Sequence, residues 1–115
     1  MKNKLHYTHE AQRDLDEIWD YIVSDLSNLA AAERTVNRIM DAIDQLADFA
    51  EIGAPLHSVA DVESDYRFLV CGNYLAFYRV DENGVYIDRI LYGRRDYLRI
   101  LFGDTAEDEA TMTQP

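Results

Sequence analysis

The order of two periodic patterns along the chain constrains its fold more than any other sequence feature. Between residues 8 and 49, apolar side chains recur at steps of three and four, which is the spacing of one face of a helix. Between residues 66 and 92, the pattern changes to short runs rich in β-branched and aromatic residues, which are typical of strands. Helical segments that precede a group of strands predict an α+β fold, in which the helices cover a sheet.

The helical part is predicted to divide into two helices at Ser27-Asn28. Thr8 can cap the first helix, because its hydroxyl can accept a hydrogen bond from an amide of the first turn. The apolar positions of this helix are Ala11, Leu15, Ile18, Ile22, Leu26 and Leu29. The second helix is predicted from about residue 31 to residue 49, with apolar positions Ala32, Val36, Ile39, Met40, Ile43, Leu46 and Ala47. Two amphipathic helices with a short connection form an antiparallel hairpin, and each helix needs a surface to cover its apolar face.

The strands are predicted to form a mainly antiparallel sheet of three to four strands. Residues 4–8 can add one N-terminal strand, and residues 53–65 are predicted to be a loop. The three central strands are predicted at residues 66–71, 74–80 and 85–92, with turns at Gly72-Asn73 and at residues 81–84. A short C-terminal helix is predicted to begin near Arg94 and to place Leu98, Leu101 and Phe102 on its inner face.

Length and composition predict one domain over residues 1–102. Residues 103–115 hold four acidic residues and no basic one, so they are predicted to be a disordered acidic tail. No stretch reaches the roughly 20 apolar residues of a transmembrane helix, so no membrane association is expected. The single cysteine, Cys71, cannot form an internal disulfide, which favours a reducing, cytoplasmic environment. No histidine or cysteine spacing matches a metal site, and neither a metal nor a cofactor is expected.

The arginines are the main chemical signal, since the net charge of -11 excludes a surface that coats nucleic acid. Four of them lie within eleven residues: Arg89, Arg94, Arg95 and Arg99. One interpretation is a solvated face of local ion pairs with Asp88 and Asp96, and spacing alone favours it. The other interpretation is a small electropositive site for a phosphate or a carboxylate.

Strand alternation predicts that two of the strand arginines share a face with apolar residues. It places Arg79 on one face with Leu75 and Phe77, and it places Arg89 with Val85, Ile87 and Leu91. An arginine on an apolar strand face is costly unless a carboxylate such as Asp65 or Asp88 pairs with it, or unless it opens onto a site. Arg67 and Arg95 are the leading candidates for site residues.

Three segments, taken in order, resemble toxins of the RelE/ParE superfamily. Residues 14–22 (DLDEIWDYI) resemble the first helix of these toxins. Residues 66–80 (YRFLVCGNYLAFYRV) are similar to their central hairpin, and residues 90–98 (ILYGRRDYL) are similar to their last strand and closing segment. The resemblance covers residues 4–102. It implies a bacterial type II toxin, of a family associated with plasmid stabilization, that an adjacent gene's antitoxin neutralises.

The resemblance implies one of two activities. RelE-like toxins are ribosome-dependent mRNA endoribonucleases, and for that activity the catalytic candidates are Arg67, Arg95 and Tyr97. ParE-like toxins bind and poison DNA gyrase without being known as enzymes, and the candidates for contacting target or antitoxin are Arg67, Arg89, Arg94, Arg95 and Arg99. RelE-like toxins also use lysines before the meander, whereas residues 51–64 contain neither lysine nor arginine. The ParE-like, non-enzymatic interpretation is therefore favoured.

Three points stay open at this stage. The endoribonuclease is one alternative function, with the ribosome as partner in place of gyrase. A non-toxic regulatory relative is another, because a fold does not determine a function. The oligomeric state is open between a homodimer and a hetero-oligomer with the antitoxin.

Overall fold

The computed structural model describes residues 2–58, 64–93 and 97–102. The predicted tail after residue 102, together with Arg94 and Arg95, lies outside these ranges. The two major helices are α1 (His9–Asp20) and α2 (Leu29–Asp44), and a short α3 (Tyr97–Phe102) follows the last strand. The strands are β1 (Leu5–Tyr7), β2 (Ala54–Pro55), β3 (Arg67–Cys71), β4 (Tyr74–Asp81) and β5 (Gly84–Tyr92). The predicted α+β order of a strand, two helices, a meander and a short helix is confirmed.

Side-chain caps set where both long helices begin. The Thr8 hydroxyl oxygen accepts a hydrogen bond from the Ala11 amide at 3.1 Å, and the Asn28 side chain accepts one from the Ala31 amide at 2.9 Å. α1 continues into a π-helical turn at Tyr21–Asp25 before the predicted break. This wider turn ends the regular spacing of the apolar face, and Leu26 and Leu29 are 57% and 55% exposed. Their prediction as inward positions is wrong for this reason.

The five strands form one sheet in the order β1-β5-β4-β3-β2. β1 pairs with β5 in parallel, and the other neighbours are antiparallel. The strand beyond the predicted number is β2, a two-residue strand inside the predicted loop, which pairs with the first two residues of β3. None of the helices in the described ranges is both long enough and apolar enough to cross a bilayer.

Both faces of the sheet are covered. The helical hairpin packs on one face through Ala11, Ile18, Ile22, Ala32, Ile39 and Ile43, against Ala76, Tyr78, Val85, Ile87 and Ile90. On the other face, Leu56, Phe77 and Leu91 are buried beneath α3. The predicted inner residues of α3, Leu98, Leu101 and Phe102, pack there as expected, and Tyr97 and Ile100 join them.

A β-bulge in β5 changes which residues share a face. Phe77 pairs with Arg89 and Tyr78 pairs with Ile87, so Asp88 is an extra residue that has no paired residue on β4. After it the alternation is reversed: Ile90 belongs to the helix-side core and Leu91 to the opposite cluster. The prediction that Val85, Ile87 and Leu91 lie on one face with Arg89 is therefore wrong.

Candidate functional site

Arg89 forms a bidentate ion pair with a carboxylate on α1. Its Nε and Nη2 atoms donate to the two Asp14 oxygens at 2.8 and 2.9 Å. The Ile90 amide donates to the same carboxylate at 2.9 Å. β1 ends opposite Ile87, so no strand within the described residues pairs with the edge of β5 beyond that point, and Asp14 occupies the edge instead. The side-chain hydrogen bond to Asp14 raises the pKa of Arg89, which keeps the guanidinium charged.

Arg79 is paired on the face of the sheet that carries α3. Its Nε atom lies 2.7 Å from an oxygen of Asp88, which confirms the expectation that Asp88 pairs with a strand arginine. The guanidinium also lies 5.8 Å from the ring centre of Tyr66. Burial, and then the charge of Asp88, raise the pKa of the Tyr66 hydroxyl. The bulge places the Asp88 carboxylate within reach of Arg79, so the irregularity in β5 accommodates this pair.

Arg67 holds the loop that follows α2. Its Nη1 atom donates to the backbone carbonyls of Gly53 at 2.8 Å and Glu51 at 3.4 Å. On β3 it alternates with Phe68 and shares parity with Leu69, which belongs to the helix-side core. The Arg67 side chain is half-buried at that end of the sheet and serves a structural task there.

The remaining sequence-predicted site residues lie elsewhere. Tyr97 packs its ring 5.2 Å from that of Phe77, on the α3 side of the sheet. Arg67 and Tyr97 are therefore on opposite faces, and the structure does not bring them together around one phosphate. Arg99 lies exposed on α3, and Arg94 and Arg95 fall outside the described residues.

A concave groove lies between the helical hairpin and the sheet. This hairpin groove has a volume of about 730 Å³. Its helix side is formed by Asp14, Glu17, Ile18, Tyr21, Ile22, Leu26, Ala31, Thr35 and Arg38, and its sheet side by Cys71, Gly72, Asn73, Tyr74, Ile90 and Tyr92. Tyr21 and Leu26 are more than half exposed on its rim, and Tyr74 and Tyr92 meet edge to face at 5.7 Å.

The chemistry of the hairpin groove is that of a protein-binding surface. Apolar and aromatic side chains dominate its lining, which also includes the carboxylates of Asp14 and Glu17 and the guanidinium of Arg38. Among the described residues, no strand pairs with the edge of β5 beyond Ile87, and the side chains of Thr8 and Asp14 engage the Asp88 carbonyl and the Ile90 amide there. Within the described ranges, no three His, Cys, Asp or Glu side chains lie close enough together to hold a metal ion.

Asp14 is the site residue that the sequence reasoning missed, although a signal for it was present. Asp14 follows Ala11 by three residues and precedes Ile18 by four, so it lies on the apolar stripe of α1. A carboxylate at such a position is expected to be buried and paired. Asp14 is only 4% exposed, and its partner is the strand arginine for which Asp65 or Asp88 was expected.

Comparison with known proteins agrees with this architecture. A family model described as "ParE toxin of type II toxin-antitoxin system, parDE" matches residues 5–97. Among solved structures, the chain is similar to one titled "Chromosomal ParDE TA system from P. aeruginosa", with 28% sequence identity and a TM-score of 0.67. The match covers 79% of this chain and 96% of that one. No curated protein sequence matches the chain.

Proposed function

The chain belongs to the ParE toxin family of type II toxin–antitoxin systems, and from this premise we propose that it binds and poisons DNA gyrase and is neutralised by a cognate antitoxin. The toxin acts as a non-enzymatic inhibitor in this proposal. It traps or blocks gyrase by contact, and it does not cleave RNA.

The observation that carries this choice is the separation of the residues that RNA cleavage would need. Cleavage through the 2′-hydroxyl needs a base, an acid and positive charge gathered around one phosphorus. Arg67 donates to loop carbonyls on the helix side of the sheet, whereas Tyr97 packs on Phe77 on the opposite side. The lysines of the chain are Lys2 and Lys4, and none lies between the helices and the meander. These facts favour contact inhibition over nuclease chemistry.

The antitoxin is proposed to bind in the hairpin groove. An apolar helix or strand of the antitoxin would cover the exposed Tyr21 and Leu26 and pack against Tyr74 and Tyr92 in the groove. Glu17 and Arg38 both line the groove, and Asp14 is already paired with Arg89, so charge favours an antitoxin segment that carries both a basic and an acidic residue. Arg94, Arg95 and Arg99 remain proposed as further contacts for the target or the antitoxin.

A paired activity assay tests the proposed target. The purified toxin should inhibit supercoiling of relaxed plasmid by gyrase, or trap the cleaved gyrase–DNA complex, and addition of the antitoxin should restore supercoiling. In parallel, messenger RNA on translating ribosomes should stay intact. Codon-positioned cleavage together with unaffected gyrase would replace the proposal with the endoribonuclease alternative. Normal growth of cells with verified soluble expression would instead indicate a non-toxic relative.

A further inference from the structure

A second apolar surface lies away from the hairpin groove, at the end of α2. Phe49, Ile52 and Val80 form it, and we call these three residues the loop patch. They are 64%, 50% and 41% exposed and line a shallow depression of about 700 Å³. Large apolar side chains that are exposed together mark an interaction surface more often than side chains that are exposed singly.

Hydrogen bonds connect the loop that carries Phe49 and Ile52 to the sheet. The amide of Gly53 donates to the Tyr78 hydroxyl at 2.9 Å, and its carbonyl accepts from Arg67 at 2.8 Å. A Cβ atom at Gly53 would lie 2.5 Å from that hydroxyl, so the close approach requires glycine. The Ile52 amide also donates to the Phe49 carbonyl at 3.2 Å. These contacts determine where the backbone presents Phe49 and Ile52.

The charges around the loop patch define what can bind there. Asp48 and Glu51 line the depression, and no basic residue does. Asp81 and Glu82 follow Val80 directly and are exposed. A second copy of this chain would place the same acids against one another across a symmetric contact, which is unfavourable. The complementary occupant is a protein segment with an apolar side chain flanked by lysine or arginine.

The loop patch and the hairpin groove are separate surfaces. They share no lining residue. Tyr74 lines the groove and Val80 lies in the patch, six residues apart on the extended strand β4, which corresponds to about 20 Å. A segment seated in the groove therefore leaves the patch open unless it continues along the whole strand.

We propose that the loop patch docks the protein target of the toxin through a basic and apolar segment of that target. The inference rests on the proposed toxin function and assigns the target and the antitoxin to different surfaces. It also gives Arg67 a defined role, since Arg67 positions the loop that carries two of the three patch residues.

Substitution of the patch with a matched control tests this assignment. The double variant Phe49→Ser/Ile52→Ser removes the apolar contacts, and Val70→Ser removes a side chain of similar exposure (62%) outside the patch. The measurements are growth arrest on expression in cells, gyrase inhibition by the purified protein, antitoxin affinity by calorimetry, and circular dichroism to verify folding. The double variant should lose at least about tenfold in inhibition and relieve growth arrest, while its antitoxin affinity stays within about twofold. Val70→Ser should behave as wild type.

Three other outcomes overturn the assignment, and a fourth separates it from the proposed target. Growth arrest equal to wild type in a folded double variant means that the loop patch does not bind the target. A loss of antitoxin affinity with toxicity retained assigns the patch to the antitoxin. A change in self-association by analytical ultracentrifugation, with both activities retained, assigns it to a second copy. If wild-type protein arrests growth but leaves gyrase active, the proposed target is wrong, and the growth-arrest comparison still decides whether the patch is needed.

Discussion

Replacement of Asp14 by asparagine should destabilise the protein more than any other single change of charge among the described residues. The carboxylate accepts three hydrogen bonds, two from Arg89 and one from the Ile90 amide, and it is 4% exposed. Asparagine keeps the shape, but it removes the charge and turns an amide group toward donors. Breaking a buried pair from one side costs about 3–5 kcal/mol. The Arg89 side chain is 26% exposed and can recover some hydration, so the expected loss is about 3 kcal/mol, at the lower end of that range.

Thermal and urea unfolding measure this loss directly. A cost of about 3 kcal/mol in a domain of this size corresponds to a fall in Tm on the order of 10–20 °C. Asp16→Asn, on the exposed side of the same helix, is the control and should change stability by less than about 0.5 kcal/mol. A double-mutant cycle with Arg89→Met should give a coupling energy of about 2 kcal/mol. If Asp14→Asn costs less than about 1 kcal/mol, or the coupling is near zero, the pair does not fix α1 to β5.

Two further predictions use pairs of chemically matched residues. Tyr7 and Tyr78 both pack in the helix-side core. The Tyr7 hydroxyl has no hydrogen-bond partner among the described residues, and burial raises its pKa to about 12. The Tyr78 hydroxyl, in contrast, accepts a hydrogen bond from the Gly53 amide. In urea unfolding, Tyr7→Phe should therefore be neutral or stabilising by up to about 1 kcal/mol, whereas Tyr78→Phe should cost about 1–3 kcal/mol, and equal effects would refute the distinction. Leu26 and Leu29 are equally exposed, but only Leu26 lines the hairpin groove. Leu26→Glu should weaken antitoxin binding by at least about tenfold in calorimetry and Leu29→Glu by less than about twofold, and an equal response of both variants would remove the antitoxin from the groove.

The elements of the fold could be predicted because their signals are local. The signals are the apolar stripes of α1 and α2, the cap at Thr8, the break at Ser27-Asn28 and the turn at Gly72-Asn73, and each depends on a few neighbouring residues. β2 escaped prediction, because a two-residue strand containing proline has no periodicity and forms only against β3. An element can therefore be predicted from the sequence when the contacts that form it are local, and it is missed when those contacts are distant in the sequence.

The bulge at Asp88 could not be predicted for a different reason. β5 carries buried apolar residues on both faces, with Val85, Ile87 and Ile90 on one and Leu91 on the other, so the sequence does not reveal where alternation reverses. The position of the reversal depends on long-range contacts. The Thr8 hydroxyl donates to the Asp88 carbonyl at 2.9 Å, and Asp14 binds the chain two residues later. The reversal determines which carboxylate each arginine reaches. For this reason Asp88, the partner of Arg79, was predicted, whereas Asp14, the partner of Arg89, was not.

The use of the arginines bears on which partners the surface can attract. Asp14 and Asp88 engage Arg89 and Arg79, and loop carbonyls engage Arg67, so three of the six arginines between residues 52 and 102 serve the architecture of the sheet. Each of the two ion pairs neutralises one positive and one negative charge, so the pairing leaves both the net charge of -11 and the acidic character of the surface unchanged. An acidic surface attracts basic partners over a distance of about one Debye length, roughly 8–10 Å at physiological salt. Both the hairpin groove, with Glu17, and the loop patch, with Asp48 and Glu51, lie in this field. In the proposed assignment, charge therefore attracts antitoxin and target alike, and the separate apolar residues of the two surfaces must supply the discrimination between them.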